Sequence, residues 1–161
     1  KGHKFQSITK GNIDLKKFDG KNEDTENKEE AATDKAEFEP LLKLMKETLS
    51  EHIDDVVISN RLTSSPVCIV APEHGVDMHM ERVLKVHQKY TGNTKPVLEI
   101  NKDHSLVKKM MSLNADFSNE DKVKDLSWLL FDQAKIIQGE PINDPGAFVA
   151  RMSKYLEDAV D

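Results

Sequence analysis

Phe38, Leu41, Leu42, Met45 and Leu49 recur at spacings of three and four residues. That period brings side chains to one face of a helix, and it predicts a first helix from about Glu37 to His52. Val56, Val57 and Ile58 then form a short apolar run, expected as a strand. Ser64, Ser65 and Pro66 mark a turn. Val67, Cys68, Ile69 and Val70 are continuously apolar, the pattern of a strand buried on both faces, and Pro72 and Gly75 end it. From about Val76 to Tyr90 the pattern is helical again. Val76, Met80, Val83, Leu84 and His87 share one stripe, and Asp77, Glu81, Lys85, Gln88 and Lys89 share the other. Gly92 suits the helix end. Beyond Pro96, Val97 to Ile100 predicts a third strand.

Three helices follow. Asp103 is expected to cap the first, which runs through about Leu113 on Leu106, Val107, Met110 and Met111. Ser118 with Asp121 three residues on reads as a capping box. It opens a helix to about Gln138 that stops at Gly139. Asp144 before Pro145 is an N-cap and first-turn signal, starting a last helix through about Ala159. The order is helix, strand, strand, helix, strand, then three helices. This is an α+β fold, with a small three-stranded sheet packed with helices. Residues 1–20, with Phe5, Ile8, Ile13, Leu15 and Phe18 set singly among polar residues, read as an extended tail. Residues 21–37 hold almost only Lys, Asn, Glu, Asp, Thr and Ala. They are expected as a flexible acidic linker or an exposed helix start, since such a stretch buries too little apolar area to offset the entropy of ordering. Residues 38–161 form the main domain.

Two helical segments carry more apolar surface than their place requires. Trp128, Leu129, Leu130 and Phe131 are consecutive, and with Leu126, Ala134, Ile136 and Ile137 they run around much of a helix circumference. The last helix adds Phe148, Val149, Met152, Tyr155, Leu156, Ala159 and Val160. One face of this pair is expected to pack on the sheet. The other either folds into the same core or pairs with a second copy around a two-fold axis, as a four-helix bundle. The Val76–Tyr90 helix, with Met78 and Met80, admits the same two readings. A Met-containing stripe is ordinary core, yet Met also suits surfaces that meet many partners.

Composition narrows the function. The chain is 37% hydrophobic and 32% charged, with a net charge of −6. It lacks the clustered basic face that releases phosphate counterions, so nucleic acid is not an expected partner. No apolar run approaches the roughly 20 residues that span a bilayer, so no membrane partner is expected. The lone Cys68 rules out an internal disulfide and suits a reducing compartment, hence a cytoplasmic location. The first residue is Lys rather than Met, and a longer parent protein is expected. The six His (His3, His52, His74, His79, His87 and His104) form no helical metal pair. No glycine-rich phosphate loop and no Gly-x-Ser-x-Gly elbow is present. No catalytic, cofactor or metal site is expected in this chain. A small enzyme with an unrecognised site, or an adaptor binding one protein through the Met helix, remain the alternatives.

Several segments resemble one family. Ser59-Asn-Arg-Leu-Thr-Ser-Ser-Pro-Val-Cys-Ile-Val70, Met80-Glu-Arg-Val-Leu-Lys-Val-His-Gln88 and Leu98-Glu-Ile-Asn-Lys-Asp-His-Ser-Leu-Val-Lys-Lys109 are similar to the C-terminal domain of the ninety-kilodalton heat-shock protein chaperones. So are Leu130-Phe-Asp-Gln-Ala-Lys-Ile-Ile-Gln-Gly139 and Asp144-Pro-Gly-Ala-Phe-Val-Ala-Arg-Met152. The resemblance runs collinearly over residues 38–158 in the style of the bacterial branch, high-temperature protein G. Phe5 to Leu15 resembles the end of that family's middle domain, which assigns 1–20 to the tail of the preceding domain. The resemblance implies a homodimer whose closing helices form an intersubunit four-helix bundle. It puts Leu126, Trp128, Leu129, Leu130, Phe131, Ala134, Ile137, Phe148, Met152, Tyr155 and Leu156 at the seam. It implies contact with unfolded or partly folded client proteins through Val76, Met80, Val83 and Leu84. It also implies that ATP and Mg belong to the full-length ATPase chaperone and not to this part of it.

Overall fold

A computed structural model of the chain describes residues 26–72 and 95–160, with side chains from Ala36 onward. The tail at 1–20, the start of the expected linker, and the whole Val76–Tyr90 segment with Val76, Met80, Val83 and Leu84 lie outside the described residues.

Helix α1 spans Glu26–Thr48. It begins well before the expected Glu37, inside the segment read as a linker or an exposed helix start, and so takes the second of those readings from Glu26 on. Pro40 sits within it, although proline suits the first turn of a helix, where its missing N–H costs nothing. The upstream residues are rich in Ala, Glu and Lys, which lose little entropy in a helix. From Phe38 on, the apolar stripe does what its spacing predicts: Phe38, Leu41, Met45 and Leu49 are all buried. The helix also ends before the expected His52, in a turn closed by Leu49 and Ile53 backbone bonds.

Strands β1 (Asp55–Ile58), β2 (Val67–Val70) and β3 (Val97–Ile100) form a three-stranded sheet in the order β1-β3-β2. β1 runs parallel to β3, with Val56 opposite Leu98, and β2 runs antiparallel to β3, with Ile69 opposite Leu98. Central β3 places Leu98 and Ile100 in the core, both fully buried. β2 was expected to be buried throughout. Instead Cys68 is half-buried, because it lies on the sheet face that carries Glu99.

Helix α2 (Ser105–Asn114) is capped by His104, whose Nδ1 accepts from the Leu106 N–H at 3.2 Å. The expected cap, Asp103, lies one residue too early. A 3-10 turn at Phe117–Asn119 follows, with Asp116 accepting from the Ser118 N–H at 2.9 Å. Ser118 is therefore the recipient of a cap, not its source. The helix it was expected to open, α3 (Glu120–Ile137), starts after Asn119 without a side-chain cap. It ends where predicted, at Gly139 with φ 72°, in the left-handed region that glycine tolerates. Helix α4 spans Pro145–Val160. Asp144 caps it as expected, accepting from the Ala147 N–H at 2.9 Å.

One core lies between α1, the sheet, α2 and one face of α3. Met45, Val67, Val107, Met110, Val123, Leu130, Phe131 and Ala134 meet there. Ser127, also buried, returns its hydroxyl to the Val123 carbonyl at 2.7 Å and so adds no unpaired polar group. The architecture is α+β, as the order of elements predicted.

Candidate functional site

The apolar excess predicted for the closing helices is real, but the two helices spend it differently. On α3, Val123, Ser127, Leu130, Phe131 and Ala134 point into the core. Leu130, Phe131 and Ala134 were placed at a seam between subunits. The sheet and α1 already cover them, so they hold the single chain together and are not free to meet a partner. Leu126, Trp128 and Leu129 are only partly covered. Ile136 and Ile137, at the end of the helix, are 50% and 65% exposed.

None of the residues of α4 is buried. Phe148, Arg151 and Tyr155 follow helical spacing and are half-covered; this is the side turned to α3. Val149, Met152, Leu156 and Val160 follow the adjacent stripe and face outward, at 58%, 40%, 59% and 87% exposure. An isolated exposed Leu is unremarkable, but an apolar stripe along a whole helix is not.

Polar contacts fix the hairpin. Asp125 on α3 receives Lys154 Nζ at 2.9 Å and lies 3.6 Å from Arg151 Nε. The Arg151 guanidinium lies 5.2 Å from the centre of the Trp128 ring, a cation–π geometry. Tyr155 donates its hydroxyl to the Lys122 carbonyl at 3.3 Å. Trp128 in turn meets His52 edge-on at 5.2 Å. Asn143 bridges His52 and Lys135, whose ammonium also lies over Phe131. Exposed ion pairs of this kind each contribute little, typically below about 1 kcal/mol. They orient α4 more than they bind it.

A second polar cluster sits on the far face of the sheet, and nothing in the apolar pattern announces it. Glu99, buried in the central strand, accepts from the Ser59 hydroxyl at 2.8 Å and from Arg61 Nε at 2.9 Å. The Ser59 oxygen also accepts from the Arg61 and Leu62 N–H groups, turning the chain after β1. Buried Asn101 donates to the Thr63 and Ser65 carbonyls at 3.1 and 3.2 Å, pinning the rest of that loop. Cys68 lies 3.6 Å from the Glu99 carboxylate. Burial, then the nearby negative charge, push its thiol up to about 11. A thiol so protonated is a poor nucleophile. The Ser59–Val70 motif is thus accounted for as architecture: it closes a loop and satisfies a buried acid. The only signal in the sequence was a Glu inside an apolar strand.

Among the described residues, no group of three or more His, Cys, Asp or Glu is placed to hold a metal ion. Nor does any described helix have the length and apolarity to cross a membrane.

The chain matches the family described as Hsp90 protein over residues 1–161. It is 40% identical over 155 residues to a protein of Nitrosomonas europaea named Chaperone protein HtpG, covering 96% of this chain and 23% of that one. It is 36% identical over 156 residues to the Methylococcus capsulatus protein of the same name, covering 97% of this chain and 23% of the relative. A Rhizobium etli protein, again named Chaperone protein HtpG, is 37% identical over 159 residues, covering 99% of this chain and 24% of its own. The chain therefore spans about a quarter of the length of the curated relatives it matches.

Proposed function

The chain belongs to the Hsp90 protein family, and we propose that it is the C-terminal dimerisation module of a chaperone of that family. In this proposal two copies pair through the outer side of the α3–α4 hairpin and complete an intersubunit four-helix bundle. The observation that carries it is the state of α4. This helix buries none of its residues, yet presents Val149, Met152, Leu156 and Val160 along one outward stripe. A second copy of the same stripe is self-complementary under two-fold symmetry, which closes the assembly. Leu126, Leu129, Ile137, Met152 and Leu156 remain in the proposed seam, while Trp128, Phe148 and Tyr155 line the contact between α3 and α4 behind it. Val149, Val160 and Ile136 join it, and the buried Leu130, Phe131 and Ala134 leave it. A dimer of this kind buries about 1,200–2,000 Å² or more.

The consequence is mechanical. A permanent junction at one end keeps two long arms at high effective concentration, so they open and close without separating. In the full-length chaperone, ATP and magnesium would drive that cycle from elsewhere in the protein, and no step of it passes through the residues described here. Val76, Met80, Val83 and Leu84 are proposed as the apolar surface that meets unfolded clients in the cytoplasm. This rests on resemblance alone.

Sedimentation across dilution into the low micromolar range tests the pairing. A dimer is expected, converted to a monomer of 18.2 kDa by Met152→Asp with Leu156→Asp, with the circular dichroism of the fold unchanged. Monomer at every concentration for the unmodified chain overturns the proposal. For client contact, Met80→Asp with Leu84→Asp is expected to reduce binding of an unfolded model protein, and undiminished binding removes that segment from the role.

A further inference from the structure

Asp132 is 3% exposed, yet it makes no hydrogen bond and no ion pair with any described residue. It follows Asp125 and Trp128 at spacings of seven and four, so the three line one stripe of α3. Asp125 and Trp128 both touch Arg151 of α4, so this stripe is the one α4 covers. The charges on it are unevenly shared. Asp125, on the exposed side of the stripe, engages both Lys154 and Arg151, whereas the enclosed Asp132 engages neither.

We propose that Asp132 makes the docking of α4 on α3 depend on protonation, the neutral acid favouring the docked hairpin and the carboxylate loosening it. Burying an ionised carboxylate without hydrogen bonds is costly, and a buried acid avoids that cost by keeping its proton. Burial accordingly raises the Asp132 pKa. Asp144 in the α3–α4 turn adds to the rise, while Arg151 on α4, Lys135 on α3 and His52 after α1 oppose it without cancelling it. These are the charged groups facing it from each neighbouring element. The sign follows by linkage. Below the ordinary aspartate range the group is protonated whether folded or unfolded, and contributes nothing. As the pH rises through that range toward the raised folded value, the unfolded chain ionises first and the folded state loses ground. Above the folded value the penalty is complete. The device does not depend on the dimer: α4 docks by its inner side, and the proposed seam is its outer side.

The test compares the chain with Asp132→Asn, an isosteric neutral variant, at fixed concentration from pH 4 to 8. Thermal melting and the fluorescence of Trp128, the sole tryptophan, are followed together. The two melting temperatures are expected to lie closest together at the acid end of that range. The variant should gain as the pH rises, reaching an advantage of about 3 °C or more at neutral pH, the shift that about 1 kcal/mol produces in a domain of this size. The Trp128 signal should titrate in the parent and not in the variant. Repeating both in a His52→Gln background removes the imidazole that faces Asp132 and packs on Trp128, and the difference should persist. Parallel curves at every pH overturn the proposal. So does a variant less stable than the parent at neutral pH, since the carboxylate would then be a stabilising partner of Arg151.

Discussion

The inner face of α3 and the outer face of α4 are both apolar stripes on neighbouring helices of one hairpin, yet they meet different ends. On α3, Val123, Leu130, Phe131 and Ala134 lie against the sheet and α1 and are closed off from water. On α4, Val149, Met152, Leu156 and Val160 remain 40–87% exposed. Composition does not separate the two stripes; what separates them is whether another element of the same chain reaches them. The inner stripe is paired with helices and strands that all precede it in sequence. The outer one lies at the end of the described chain, on the side away from the other described elements. An interface is therefore read from the apolar surface left over after folding, and not from apolar content itself.

Substitutions can break that contrast or sharpen it. The largest effect is expected from Leu130→Asp, which puts a charge into the closed core. It should cost about 4 kcal/mol or more and abolish the cooperative urea transition. A variant that still unfolds cooperatively near the parent midpoint would show that this face of α3 is open. Glu99→Gln removes the charge that Ser59 and Arg61 hold inside the sheet. Because Arg61 is partly exposed, the expected loss is at the low end for a broken buried pair, about 3 kcal/mol, read from the urea midpoint. A change near zero would make the cluster a surface feature. Asp144→Ala removes the cap of α4 and is expected to cost about 1 kcal/mol. Amide exchange should quicken in α4 while the sheet amides keep their rates; uniform quickening would mean that α4 and the core unfold as one unit. The smallest effect on folding is expected from Met152→Asp with Leu156→Asp. Under dissociating conditions it should change the urea midpoint by no more than about 0.5 kcal/mol, as for exposed sites. A large loss would place those residues in the core. These two side chains thus measure the assembly and Leu130 measures the fold.

Much of the framework was legible from local pattern. The strands at Val67–Val70 and Val97–Ile100, the Asp144–Pro145 start of α4 and the Gly139 stop are all signals of a few neighbouring residues, and all appear where the pattern put them. The misses have a common cause as well. Asp103 and Ser118 are good caps by residue type, but the chain places His104 and Asp116 at the geometry that accepts a bond. The first helix was expected from about Glu37, while the residues before it continue the helix. Glu99 was read only as part of an apolar strand, and its partners lie about forty residues away in the chain, beyond any local window.

The sequence by itself determined where apolar stripes lie, where the strands run, and that the closing helices hold more apolar surface than a one-sided helix needs. Side-chain direction is set by backbone period, and period is written locally. Only the tertiary structure decided which stripe is covered, that Leu130 serves the fold while Leu156 faces outward, and that Asp132 is enclosed without a partner. Those outcomes depend on which distant elements arrive at a given face, and burial is a property of that meeting and not of the residue.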